Sequence, residues 1–184
     1  MQCSIFIGTS LDGFIARRDG SIDWLDYRSG QASPGEDFGY KAFFDTVDVL
    51  IMGRKTLETV LAFDLPKWPY GDKPIVVLSR TWKELPAGCP ASVSLSDLSP
   101  AELVAKLARE GKRRAYIDGG TTIQSFFAAG LINDLTITRV PILLGEGIPL
   151  FDSLARETPL IHESTRAYDC GLVQSRYRVG RAEG

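Results

Sequence analysis

The stretch Asp48-Val49-Leu50-Ile51-Met52-Gly53-Arg54-Lys55-Thr56 constrains the fold more than any other part of the chain. Its first half is a short apolar run, rich in β-branched residues and closed by a glycine, which is the pattern of a buried strand. Its second half leads into Leu57-Glu58-Thr59-Val60-Leu61 and has the pattern of a helix start. A strand that stops at a glycine and feeds a helix presents free backbone N–H groups and a positive dipole end. Arg54 and Lys55 add charge that suits a phosphate. The same residues also fit an ordinary strand–helix junction with solvated cations, so the rest of the chain has to decide between the two.

Further strands are expected over Ser4 to Gly8, Ile75 to Ser79, Ser92 to Leu95, Arg114 to Asp118 and Asp134 to Val140. The tail reads as two strands, Leu160 to Tyr168 and Leu172 to Val179, joined around Asp169-Cys170-Gly171 as an antiparallel hairpin. Helices are expected from Glu36 to Thr46, after Gly53, from Ser99 to Gly111, and from Thr121 or Thr122 to Gly130. The third has the best local signal: Ser99 as N-cap, Pro100 at the first position and Glu102 closing a capping box. Arg17 to Gly35 mixes Gly, Asp, Ser and Pro around Trp24-Leu25 and reads as a long loop of the kind that carries function. Alternating strands and helices followed by strands alone predict an α/β fold: a mostly parallel central sheet, flanking helices and a C-terminal antiparallel hairpin.

The 184 residues suit one domain, 1–184, with a sizeable core. A net charge of −2 argues against a nucleic-acid binder, which would carry a basic stripe. No apolar run is long enough for a membrane span, and Met1 to Ile7 lacks the features of a signal peptide, so a cytoplasmic protein is expected. Cys3, Cys89 and Cys170 are widely spaced thiols, and His162 is the one histidine. No metal site is expected from such a set.

Three strand ends carry unusual residues: Gly53-Arg54-Lys55-Thr56, Ser79-Arg80 and Gly119-Gly120-Thr121-Thr122. In an open parallel sheet the strand C-termini share one edge, where ligands bind. Brought together there, two helix N-termini and three cations would suit a dinucleotide with an additional phosphate. The chain has neither a Gly-x-Gly-x-x-Gly segment nor a P-loop.

The chain resembles the dihydrofolate-reductase-like superfamily. It is most similar to the branch formed by the C-terminal reductase domain of the bifunctional riboflavin-biosynthesis deaminase–reductase. The residues that carry the likeness are Ser10-Leu11-Asp12-Gly13-Phe14-Ile15-Ala16, Met52 to Glu58, Val77-Leu78-Ser79-Arg80-Thr81, Asp118-Gly119-Gly120, and Pro141 to Phe151. The deaminase signature, with its His-x-Glu and Pro-Cys-x-x-Cys, is missing, so this chain is not expected to be the bifunctional enzyme.

The resemblance implies an NADPH-dependent reductase that hands a hydride to an imine-like carbon of a pyrimidine or pterin-type substrate. The reaction it points to first is reduction of 5-amino-6-(5-phosphoribosylamino)uracil. The alternatives are a pteridine or dihydrofolate reductase of relaxed specificity, or a non-catalytic NADPH-binding module. It places Gly53, Arg54, Lys55, Thr56, Asp118, Gly119, Gly120, Thr121 and Thr122 at the cofactor phosphates. Ser79 and Arg80 fall near the 2′-phosphate, and Gly8, Ser10 and Ala16 beside the nicotinamide. Asp37 falls where the folate enzymes carry their substrate-binding acid, with Thr138 as its partner. The same position also suits a carboxylate that simply favours a helix start. Asp12, Trp24, Phe38, Lys41, Gly145 and Gly147 are expected to face the substrate. A homodimer is expected, with the Phe38–Phe43 helical face and open strand edges available to the second copy.

Overall fold

Six parallel strands form the spine of the computed structural model, which describes residues 1–25, 35–63, 66–152 and 157–180. In chain order the elements are β1 (Gln2–Ser10), β2 (Phe14–Ala16), α1 (Tyr40–Asp45), β3 (Val49–Gly53), α2 (Arg54–Ala62), β4 (Ile75–Leu78) and β5 (Val93–Ser96). There follow α3 (Pro100–Arg109), β6 (Arg114–Asp118), α4 (Gly120–Ala128), β7 (Asp134–Val140), β8 (Ile148–Pro149), β9 (Leu160–Ala167) and β10 (Val173–Val179). The main sheet runs β5-β4-β3-β6-β1-β7-β10-β9, and only the β10 pairings are antiparallel. This is the mostly parallel α/β sheet with a C-terminal hairpin that the pattern predicts.

Both faces of the central strands are buried, which explains their unbroken apolar runs. On one face Ile5, Ile51, Ile117 and Leu135 pack under Leu103 and Leu107 of α3 and Ile123 and Phe126 of α4. On the other, Leu50, Met52, Ile75, Val77 and Tyr116 pack with Leu57 of α2 and, from α1, with Tyr40, Phe43 and Phe44. Each fully buried side chain of this size contributes about 1.5–3 kcal/mol. A third cluster joins Trp24 to Val140, the last residue of β7, and to Cys170 and Leu172 in the turn between β9 and β10.

The β1–β6 ladder is short. It pairs Gln2 with Arg114, Cys3 with Ala115 and Ser4 with Tyr116, and then stops. On its other side β1 stays paired to β7 from Ser4 to Ser10. Beyond Ser4 the two strands therefore part, and a cleft opens toward their C-terminal ends. The phenol of Tyr116 donates to the Phe6 carbonyl at 2.8 Å, satisfying a backbone acceptor that has lost its ladder partner. At the opposite edge Asp134 accepts from Gln2 at 2.6 Å, Ser4 at 2.9 Å and Arg114 at 3.1 Å, binding β1, β6 and β7 together.

Two expectations need correcting. The helix expected over Glu36 to Thr46 begins only at Tyr40, because Phe38 (φ 56°) and Gly39 (φ 81°) are left-handed and interrupt it. The Phe38–Phe43 face also makes contacts within the chain and is half-buried rather than open. Phe43 stacks on Phe6 at 5.1 Å, and Phe38 packs edge-on against Tyr168 at 4.9 Å. The centre of the expected Arg17–Gly35 loop, 26–34, lies outside the described residues.

Candidate active site

The three turns expected to meet do so, and glycines are what let them. Gly119 has φ 86° and ψ 137°, a conformation open in practice only to glycine. A Cβ there would overlap Thr56 Oγ1 of α2. Reciprocally, a Cβ on Gly53 would lie 3.0 Å from Thr122 Oγ1 of α4. The β3–α2 and β6–α4 turns are thus interlocked side by side. The β4 end follows, with Gly53 in register with Leu78, and the Arg54 guanidinium sits 5.7 Å from the Trp82 ring centre. Ser79 Oγ shapes this last turn by accepting from Trp82 N at 3.0 Å, while Arg80 and Lys55 are exposed.

The helix ends differ in a way that points to an anion. At the start of α3, Ser99 and Glu102 form a complete capping box. Neither Gly53 at the start of α2 nor Gly119 at the start of α4 gives its helix a side-chain cap. Their first N–H groups are left for a ligand or solvent, at the positive ends of two helices.

On the far side of the cleft, the segments around Ser10 and Pro141 zip together. Asp12 accepts from Gly145 N at 2.7 Å and Leu144 N at 3.2 Å, and Ser10 Oγ donates to Asp12 at 2.6 Å. Phe14 pairs with Pro149 and Ala16 with Ile148, making a small β2–β8 ribbon. A Cβ on Gly147 would overlap the Ala16 carbonyl, and one on Gly120 would lie 2.7 Å from Ile15 Cδ1. Asp12, Gly145 and Gly147, expected to face the substrate, instead build the ribbon that abuts the start of α4. Gly8 lies under Leu25, whose Cδ2 would be 2.8 Å from any Cβ there. The ribbon, the two interlocked turns and the β4 end form one continuous track. From β1 to β4 it crosses the cleft between β1 and β6 and then two paired strand spacings, roughly 10 Å, from β6 to β4.

The substrate side departs further from expectation. Asp37 is exposed and accepts from Gly39 N at 2.9 Å and Lys41 N at 2.8 Å. These two backbone bonds, that from Lys41 first, hold its carboxyl below the usual range. It behaves as the cap of α1. Thr138 is buried and accepts from Gln174 Nε2 at 2.9 Å, which also donates to the Phe38 carbonyl at 3.0 Å. Lys41 is exposed and paired with Asp45 at 2.6 Å. Trp24 is 2% exposed, a core residue whose indole N–H has no partner among the described residues.

The residue that stands out is Asp118, placed at the phosphates by the resemblance. It ends β6 where β1 has turned away, on the same face as Tyr116 by the two-residue alternation of a strand. One carboxyl oxygen accepts from Gly119 N at 2.8 Å. Burial pushes its pKa up to about 6, against smaller lowering effects from Gly119 and the neighbouring Tyr116 phenol. Tyr40, Tyr70 and Tyr116 all feel its charge, and burial foremost raises all three phenols. Sequence alone misses this group, because its aromatic members come from three distant segments with no shared motif. The one local signal is an acid directly before Gly-Gly at a strand end.

The comparisons agree with this architecture. The family described as RibD C-terminal domain matches residues 3–174. A crystal structure of a Shewanella sp. PV-4 protein, provisionally assigned to riboflavin biosynthesis, is 40% identical with a TM-score of 0.90, covering 98% of this chain and 100% of that one. The uncharacterized protein YwjB of Bacillus subtilis strain 168 is 36% identical over 170 residues, 89% of this chain and 90% of its own. The Thermotoga maritima diaminohydroxyphosphoribosylaminopyrimidine deaminase/5-amino-6-(5-phosphoribosylamino)uracil reductase shares the fold at 13% identity and a TM-score of 0.70, with 97% of this chain matching 56% of that one. By sequence and by its dihydrofolate-reductase-like architecture, the chain belongs to the RibD C-terminal domain family.

Proposed function

We propose that the protein is an NADPH-dependent reductase of a flat pyrimidine- or pterin-type heterocycle. The observation that carries this is the pair of interlocked helix starts at α2 and α4, uncapped by side chains, at the sheet edge where a dinucleotide would lie. The residues present suit that group. The N–H groups after Gly53 and Gly119 would hold the pyrophosphate, and the β2–β8 ribbon would support the nicotinamide. Arg54, now bonded to Glu58 at 2.7 Å, would exchange that carboxylate for the 2′-phosphate, aided by Lys55 and Arg80. When bound, the cofactor supplies a hydride.

The chain itself supplies the proton. Asp118, at about pKa 6, keeps a minority of its carboxyls protonated at neutral pH. A carboxyl so placed in the cleft would give its proton to the substrate nitrogen and recover it from solvent. Asp37, held ionised by the N–H groups it caps, is poorly suited to that task.

NADPH oxidation should be followed at its absorbance band with 5-amino-6-(5-phosphoribosylamino)uracil and with a dihydropterin, alongside cofactor titrations of wild type and Arg54→Ala. Turnover is expected, with Arg54→Ala weakening NADPH about tenfold to a hundredfold and NADH far less. Equal weakening of both cofactors would mean that Arg54 does not meet the 2′-phosphate.

A further inference from the structure

Resting on the reductase reading, we infer that Gln124 is a positioning residue for the reaction. It sets the reach between the helix start that would hold the cofactor pyrophosphate and the ribbon that would support its nicotinamide. The phosphate turns follow β3 and β6, whereas the ribbon belongs with β1 and β7. Beyond Ser4 no backbone ladder joins β1 to β6, so the width of the gap between them falls to side chains. A dinucleotide lying across both sides can present its reactive carbon in one place only if that width is fixed.

One side of α4 spans the gap. Gly120, Gln124 and Phe127 follow one another at helical spacing and share that side. At Gly120 the helix runs close to the ribbon: a Cβ there would lie 3.7 Å from the Pro149 carbonyl oxygen and 3.8 Å from Ile148 Cγ2. Phe127 meets the Phe151 ring edge-on at 5.4 Å. Between these two contacts, Gln124 Nε2 donates to the Pro149 and Leu150 carbonyls, each at 3.2 Å. Apolar contacts are non-directional and permit sliding. A side-chain amide carries two N–H groups, and aiming them at successive carbonyls fixes where along the ribbon the helix sits. Gln124 stands one turn after Gly120, so this amide and the N–H groups after Gly119 belong to the same rigid turn. The Tyr116 bond to the Phe6 carbonyl also crosses the parting, but it ends on β1 and not on the ribbon.

The test compares the full chain with Gln124→Met, which keeps the length and apolar stem of the side chain and removes both donors. Dissociation constants are measured for NADPH and for adenosine 2′,5′-bisphosphate, a fragment long enough for the phosphate turns but not for the ribbon. NADPH oxidation is followed with 5-amino-6-(5-phosphoribosylamino)uracil and with a dihydropterin. Expected is an NADPH dissociation constant raised about tenfold and a kcat/KM lowered about tenfold or more, with fragment affinity within about twofold of wild type. Gln124→Ala should behave in the same way. Unchanged NADPH affinity and turnover overturn the inference and leave the reductase reading standing. Equal weakening of NADPH and the fragment, or loss of the fold by circular dichroism in both variants, makes Gln124 a structural residue and overturns the inference as well. Wild-type protein that fails to bind NADPH, or binds it without oxidation by either substrate, overturns the reductase reading and the inference with it.

Discussion

The track along the strand ends and the cleft beside α1 are built on opposite principles. The track is made of backbone: two helix starts without caps, brought into contact because Gly53 and Gly119 lack a Cβ. The cleft is made of side chains from distant segments, Tyr40, Tyr70, Tyr116 and Asp118, held by ring packing. A backbone site can receive the same phosphates whatever the substrate, whereas a side-chain site can be rewritten one residue at a time. Within this one molecule, cofactor use should therefore be robust and substrate choice easily changed.

The largest effect should come from the track. Gly119→Ala should abolish measurable cofactor binding and cost about 2–4 kcal/mol by chemical denaturation, since it adds left-handed strain to an overlap with Thr56. Adding Thr56→Ala should restore part of the stability, because the overlap is with Oγ1. No recovery would place the damage in φ alone.

Asp118→Asn should act on the cleft only, lowering kcat about a hundredfold with cofactor affinity intact. Its carboxyl is raised from 3.8 to about 6 in the native state. Native and unfolded chains are both protonated below 3.8, but between 3.8 and 6 only the native carboxyl keeps its proton. Stability therefore falls as pH rises through that window and levels off above 6. Asn should remove this slope and be the more stable variant at pH 7, by about 1–3 kcal/mol. Activity of the wild type should fall as pH rises past about 6 if the protonated carboxyl is the donor. A flat profile would return the proton to another group.

The smallest effect is expected at Asp37. Replacement by Ala should lower Tm by about 2–4 °C through loss of the α1 cap, with kcat within a fewfold of wild type. A collapse of kcat with NADPH binding retained would reinstate Asp37 as the catalytic acid.

The legibility of the two regions in the sequence follows from the same difference. The track could be read because its signals are local. An apolar run ending in Gly-Arg-Lys-Thr, and another ending in Asp-Gly-Gly, state both the strand and the turn within a few residues. The α3 capping box was legible for the same reason, being formed by Ser99 and Glu102 alone. The cleft was illegible because Tyr40 and Tyr70 read as ordinary core aromatics until β1 and β6 part and expose the floor between them. Asp37 stands at the acid position that the resemblance implies, but a resemblance does not record that Phe38 and Gly39 turn left-handed and make the carboxylate a cap. Asp12 and Gly147 were legible as important but not for what, since the ribbon they hold joins segments far apart in the chain.

The brevity of the β1–β6 ladder has a mechanical meaning. In its backbone ladder Gln2, Cys3 and Ser4 join the two halves of the sheet, near the edge where Asp134 clamps them, and beyond them the ties are side chains: Tyr116 to the Phe6 carbonyl, and Gln124 of α4 to the carbonyls of Pro149 and Leu150. The sheet thus resembles a pair of shears riveted at one end and lightly latched at the other, with β3, β4 and β6 on one blade and β1, β7 and the ribbon on the other. A long molecule lying across both blades would pin them, so its departure would loosen the whole cutting edge at once rather than one loop.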